Sequence, residues 1–347
     1  MGAGAMIPFG GPTTNELTES LSHYKYYKNV LERLKCKKYK NVNFENILAN
    51  IEQLLEWKKT KVYHENNLTS IELLEPIYAY TQTLTIDIQN EYYGAINEII
   101  ERIKRYDHYS QCDEIIKKRN SLADFLKAIN RDRSIKIYSL NYDRIIPQLF
   151  KSESVIYEGA TNGVYEYDYM KFLNHRFTYF NLHGSIYLDY IPGRKMRISN
   201  IPVDYYHSYS LPGGNPGEMK PFTPIIVGHS KTQRILSEPF NFGIGAFMYD
   251  CNTCDNLIVI GYSFGDPYIN NIIRNFTNKN YYDISIVDYS MSASLPVNIP
   301  IHEVNLTQKS FEEQEKGVFY SSIHRAHLYL NGFYDYIDMI ISEHKAK

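Results

Sequence analysis

The rhythm of apolar and polar positions changes once along the chain, near Arg133. Over 15–133, apolar residues recur at helical spacing among Lys, Glu and Asn, as in FENILANIEQLLEW and AINEIIERIKRY, which predicts a helical module. Pro76 begins or interrupts one of its helices, and the polar stretch 63–69 reads as a connection. After Arg133, short β-rich runs alternate with helical ones: SIKIYSL, RFTYFNL, TPIIVG, NLIVIGY, DISIVDY and IPIHEV. Runs that are apolar over most of their length are the buried strands of a mostly parallel sheet. Helices are predicted at about 143–150, 235–250, 267–275, 310–316 and 332–343, each able to serve as a crossover or a cap. The fold class is therefore α/β. The span 193–221, rich in Pro, Gly, Ser and Tyr, is too long for a plain connection and reads as a mobile loop beside a site.

At 347 residues the chain can bury a substantial core without disulfides or metals. Its 44% apolar and 22% charged residues are globular values. Its apolar runs fall well short of the roughly 20 residues that cross a bilayer, so no membrane span is predicted. No basic stretch followed by an apolar one opens the sequence, and cytoplasmic residence is the default expectation. Cys251 and Cys254 make one C-x-x-C pair without the second pair or neighbouring histidines of a tetrahedral zinc site; they, Cys36 and Cys112 read as buried thiols, and no metal is expected. A net charge of -2 gives no footprint for nucleic acid, and Lys35, Lys37, Lys38 and Lys40 read as solvated surface. The 33 tyrosines are dispersed and look like compositional bias.

Five short segments carry candidate chemistry. Gly2-Ala3-Gly4 before a helix can bring backbone N–H groups to a pyrophosphate, although Ile7 stands where a dinucleotide fingerprint has its third glycine. Such a turn normally follows a buried strand; here the sequence opens on it, so either the native start lies upstream or the protein manages without that support. In SLNYD a buried strand delivers Asn141 and Asp143 to its carboxyl edge, where an amide can hold a ribose hydroxyl or a water and a carboxylate can accept from a sugar diol; a helix N-cap explains the same residues. In NLHGS, His183 ends another strand and has the titration range of a general base. In LIVIGYSFGD, an apolar strand runs into a polar turn where Gly261 and Ser263 could meet a ribose and a phosphate. In ISIVDYS, Asp288 stands where an acidic residue can grip an adenosine ribose. Each of the last two could instead be a simple turn.

The order GAGAM, helical stretch, SLNYD, NLHGS, IGYSFGD and IVDYS resembles the sirtuin-like family, and more closely its bacterial branch of NAD-hydrolysing antiphage effectors. That resemblance implies a Rossmann-like, mostly parallel sheet flanked by helices, formed by 1–14 and 134–347 and split by a large N-terminal helical insertion at 15–133. It implies NAD as substrate: Gly2, Ala3 and Gly4 at the pyrophosphate, Asn141 and Asp143 at the nicotinamide ribose and its attacking water, His183 as catalytic base, and Gly261, Ser263 and Asp288 at the adenosine half. Met6 stands where the family often has a serine beside the phosphates, and the four-cysteine zinc ribbon of protein deacylases has no counterpart. Hydrolysis of NAD to nicotinamide and ADP-ribose is the reading that follows, with deacylation or ADP-ribosyl transfer as alternatives. A non-catalytic NAD or ADP-ribose sensor or scaffold is a further one. An effector that depletes NAD implies restraint by homo-oligomerisation, a regulatory partner protein or a phage-derived trigger.

Overall fold

Thr13 starts the first helix with a reciprocal cap: its hydroxyl accepts from Glu16 N–H at 3.1 Å and its N–H donates to Glu16 Oε2 at 2.6 Å. The computed structural model describes residues 1–36, 42–61, 85–109, 112–151, 155–166, 168–191, 195–199, 201–202, 225–227, 231–279, 282–290 and 299–346. Pro76, the 63–69 connection and Lys37, Lys38 and Lys40 lie outside them. In this first part the helices are α1 (Thr14–Ser20), α2 (Lys25–Cys36), α3 (Phe44–Lys61), α4 (Thr85–Tyr109) and α5 (Asp113–Asp132). Ile47, Ile51 and Leu54 of α3 face Ile96, Ile99 and Ile103 of α4 in one buried cluster, the helical spacing of the sequence turned into a shared core.

The chain continues through β1 (Ile135–Ser139), α6 (Ile145–Leu149), β2 (Ala160–Thr161), β3 (Val164–Tyr165), α7 (Tyr169–Asn174), β4 (Phe177–Asn181), β5 (Leu188–Ile191) and β6 (Lys195–Ile198). It closes with α8 (Lys231–Ile235), α9 (Phe240–Thr253), β7 (Asn256–Ile260), α10 (Pro267–Thr277), β8 (Asp283–Val287), β9 (Glu312–Glu315), β10 (Val318–Ser321), β11 (Ala326–Tyr329) and α11 (Phe333–Ala346). β1 pairs with β4 in parallel. β7, β8 and β11 are parallel neighbours, and β10 and β9 extend that sheet antiparallel. Helices cover both faces: α5 and α11 pack on one side, α9 and α10 on the other. The molecule is thus α/β, with a Rossmann-like parallel sheet and helices preceding it.

Met1 and Gly2 stand between β1 and β7. The Met1 ammonium donates to Tyr138 O at 2.7 Å, Leu140 N–H to Met1 O at 2.9 Å, and Gly2 N–H to Ile260 O at 2.8 Å. Burial pushes that ammonium down to about 5. The gap between the two strands continues as an apolar cavity of about 390 Å³, walled by Ile129 of α5, Ile137 of β1, Phe247 of α9 and Ile258 of β7.

Three expectations are corrected. The span 310–316 is not a helix: 312–315 is the exposed edge strand β9, and pairing with β10 overrides the helix propensity of Glu and Gln. IPIHEV is not a strand, because Ile301–Val304 forms a 3-10 turn behind Pro300, with Asn305 at φ 63 closing it. The helix expected at 235–250 starts later, as α9 from Phe240 behind its N-cap Pro239, and runs on to Thr253. Part of the 193–221 span is β6, hairpin partner of β5, and its remainder apart from 195–199 and 201–202 lies outside the described residues. Of TPIIVG, Ile225 makes an isolated bridge to Gly184.

Phe9 is fully buried and meets Phe333 edge to face at 5.7 Å, so it pins the amino-terminal turn to α5 and α11. Phe9→Ala should lower the unfolding free energy by about 3–5 kcal/mol, read as a shift in the urea midpoint at unchanged slope.

Candidate active site

Two glycine turns meet at the carboxyl edge of the sheet. Gly4 N–H donates to Gly261 O at 3.1 Å, and Gly261 has a φ of 56. A Cβ on Gly261 would fall 2.0 Å from Ala5 N, and one on Gly2 would fall 2.5 Å from Gly261 O. These glycines are therefore required by the approach of one backbone to another. The N–H groups of Gly2 and Gly4 are spent on the end of β7 and the turn after it, so the expected amide cradle for a pyrophosphate is narrower than the sequence suggests.

The strand ends deliver the polar side chains. Asn141, after β1, is 8% exposed; its Nδ2 donates to Gly2 O at 3.1 Å, which ties it to the glycine turn. Asn181, at the end of β4, donates to the carbonyls of Asn141 and Asp143 at 2.8 and 3.1 Å. Ser185 Oγ donates to Tyr142 O at 3.0 Å, so the NYD and LHG segments are laced together. Gly184, at φ 85, turns the chain immediately after His183.

His183 is 3% exposed, and its Nε2 lies 3.2 Å from Asp266 Oδ2, off the line of a good hydrogen bond. Among the described residues Nε2 has no aligned hydrogen-bond partner. Burial, then the Lys231 ammonium, hold the imidazole below its ordinary range, against the opposing pull of Asp266 and Glu45. The ring is neutral at physiological pH. Lys231 Nζ stands 3.2 Å from Asp266 Oδ2 and 3.2 Å from Glu45 Oε2. Burial raises the Asp266 carboxyl, but the neighbouring His183 and Lys231 outweigh it and hold Asp266 ionised far below the usual carboxylate range. Asp266 also caps α10 by accepting from Tyr268 and Ile269 N–H.

A cavity of about 460 Å³ joins these groups, within the usual range of small-molecule sites. Gly2, Ala3, Gly4, Asn141, His183, Gly261, Ser263 and Asp288 all line it, so eight residues singled out from five separate segments converge. Burial raises the Asp288 carboxyl, against a bond from Tyr289 N–H. Asp143 is the exception. It is 1% exposed and does not line the cavity; its carboxylate accepts from Tyr106 OH at 2.7 Å and from Ile145 N–H, at the start of α6, at 3.1 Å. Burial, with Asp107 nearby, pushes its carboxyl up. A sugar diol would have to displace Tyr106 to reach it, and in this geometry the carboxylate holds the Tyr106 hydroxyl and the first N–H of α6.

Asp266, Lys231 and Glu45 were not assigned roles by the motifs. Asp266 was legible as an Asp-Pro helix start, whereas Lys231 and Glu45 lie in stretches without a distinguishing pattern. Among the described residues no group of three or more His, Cys, Asp and Glu side chains could hold a metal ion.

The family model of the SIR2-like domain matches residues 135–291, the stretch that supplies Asn141, His183, Gly261, Ser263, Asp266 and Asp288. No curated protein matches the chain.

Two stability measurements check the local roles. Gly261→Ala should cost well over the roughly 1–2 kcal/mol of a left-handed residue, because its Cβ meets backbone, whereas Gly245→Ala in α9, with open space around it, should be neutral or gain about 0.5–1 kcal/mol. Asp143→Ala should cost about 1–3 kcal/mol by orphaning Tyr106 OH, with Asp143→Asn recovering most of it and ligand affinity little changed in both.

Proposed function

Since residues 135–291 form a SIR2-like domain, a kind of domain that uses NAD, we propose that this chain cleaves the nicotinamide–ribose bond of NAD and passes the ribosyl carbon to water. The observation that carries the proposal is His183: a buried, neutral imidazole 3.2 Å from the Asp266 carboxylate, lining a cavity of about 460 Å³ with Asn141, Ser263 and Asp288. In this reading nicotinamide leaves as the C–N bond breaks with its electron pair, and the ribosyl carbon gains oxocarbenium character. Water then adds to that carbon, and its proton passes to His183. Asn141, fixed by Gly2 O, orients the ribose or the incoming water. In the same reading Asp288 and Ser263, which line the cavity beyond the ends of β8 and β7, take the hydroxyls of the adenosine half. Asp143 supports the loop that holds Asn141.

Water is the simplest acceptor. Cys251 and Cys254 are free, and the four-cysteine ribbon of protein deacylases has no counterpart in this sequence. We further propose that the hydrolysis serves antiphage defence by depleting NAD in the cytoplasm, with restraint by homo-oligomerisation or a partner, and that 1–14 and 134–347 form the catalytic domain around an insertion at 15–133.

The test is incubation of the purified chain with NAD, alone and with candidate partners, following nicotinamide and ADP-ribose by chromatography. His183→Ala should reduce product formation by roughly 10²–10⁴-fold while NAD still raises the melting temperature; Asn141→Ala should also suppress it. Absence of product under every condition, with NAD-dependent stabilisation retained, would make the chain a sensor.

A further inference from the structure

The helices that precede the sheet rest on the two motif loops of the cavity. Tyr142 of the NYD segment and Ile186 and Tyr187, just after the LHG segment, are buried in the same cluster as Ile47, Ile51, Ile96 and Ile99 of α3 and α4. One polar thread crosses this contact. Glu45, in the first turn of α3, accepts from Tyr142 OH at 3.1 Å and from Lys231 Nζ at 3.2 Å. Lys231 is in turn 3.2 Å from Asp266, and Asp266 is 3.2 Å from His183 Nε2. The thread therefore runs from a helix of the 15–133 module to the imidazole in three steps.

We propose that Glu45 is a positioning residue through which the helical module controls the site: by sharing Lys231 with Asp266 it leaves the Asp266 carboxylate free to orient His183, and displacement of α3 withdraws that support. The proposal rests on His183 being the proton acceptor of the reaction proposed above. With Glu45 in place, two carboxylates share one ammonium, so the Asp266–Lys231–Glu45 group carries a net negative charge beside the ring. Without Glu45 the ammonium neutralises Asp266 alone, and the ring loses its anionic neighbour. Both ions are little exposed, 21% for the Lys231 side chain and 10% for that of Asp266, so the coupling is weakly screened by solvent. The charged and titratable groups that face His183 are Asp266 before α10, Lys231 of α8 and Glu45 of α3. Tyr142, beyond Glu45, has its hydroxyl raised well above its ordinary range by burial and then by Glu45, and stays neutral. Tyr106 of α4, Tyr262 after β7 and Asp288 after β8 share the cavity.

The experiment uses the full chain and three variants, Glu45→Gln, Lys231→Met and the double variant. It reads the imidazole titration of His183 by NMR, assigned against His183→Gln, and the pH profile of NAD cleavage. Glu45→Gln keeps an acceptor for Tyr142 OH, and melting curves check that each variant folds. Glu45→Gln should move the His183 titration and the acid limb of kcat to lower pH and lower kcat roughly 10-fold, with KM changed by less than about twofold. Lys231→Met should move both to higher pH, and the double variant should fall between the two single variants, because it leaves the Asp266 carboxylate alone beside the ring. An unmoved titration in Glu45→Gln overturns the proposal. So does a raised KM in Lys231→Met with the titration unchanged, which would assign Lys231 to a substrate phosphate. If the chain cleaves no NAD, the titrations still judge the thread, and the hydrolase reading fails by itself.

Discussion

Everything at the carboxyl edge of this sheet depends on two backbones touching where a side chain would keep them apart. Gly261 accepts from Gly4 at 3.1 Å, in a left-handed conformation that leaves no room for a Cβ. That contact sets the distance between the amino-terminal turn and the turn after β7. Asn141 then bonds to Gly2 O, so the loop after β1 is positioned by the same contact. The cavity is the space these turns enclose, and its polar lining follows from which strand ends they bring together.

The electrostatics within that space divide the carboxylates by environment. Asp266 stays ionised because Lys231 and His183 outweigh its burial, whereas Asp143 and Asp288 are pushed toward protonation by burial. One neutral imidazole beside one fixed anion is an arrangement suited to accepting a proton near neutrality. Lys231 lowers the ring's proton affinity and Glu45 raises it, so the same few ångströms that orient the imidazole also tune it.

Much of this was legible in the sequence, and the exceptions have physical causes. β1, β4, β7 and β8 are parallel strands, and their near-continuous apolar runs announce them. β10 and β11 were missed because VFYS and AHLY mix polar and aromatic residues. β9 was mistaken for a helix because EEQE carries helix formers whose pairing partner lies later in the chain. Asn141, His183, Gly261, Ser263 and Asp288 converge on the cavity because each follows a strand, which sequence can reveal. Asp143 was the motif residue that did not reach it, since the pattern could not say whether its carboxylate would face a ligand or cap α6. Lys231 and Glu45 gained meaning only through contacts between segments 186 residues apart.

The buried cluster shared by α3, α4, Tyr142, Ile186 and Tyr187 has a consequence for how the molecule comes apart. A helical layer with its own sealed core could open and close while the sheet stayed intact. Here the layer's core includes residues of the two loops that bear Asn141 and His183, so peeling it away exposes apolar surface on both sides. The helical layer and the loops bearing Asn141 and His183 thus form one cooperative unit, whose opening costs more than fraying of a peripheral helix. Whatever shifts α3 must therefore supply enough binding energy to work against the core of the whole edge.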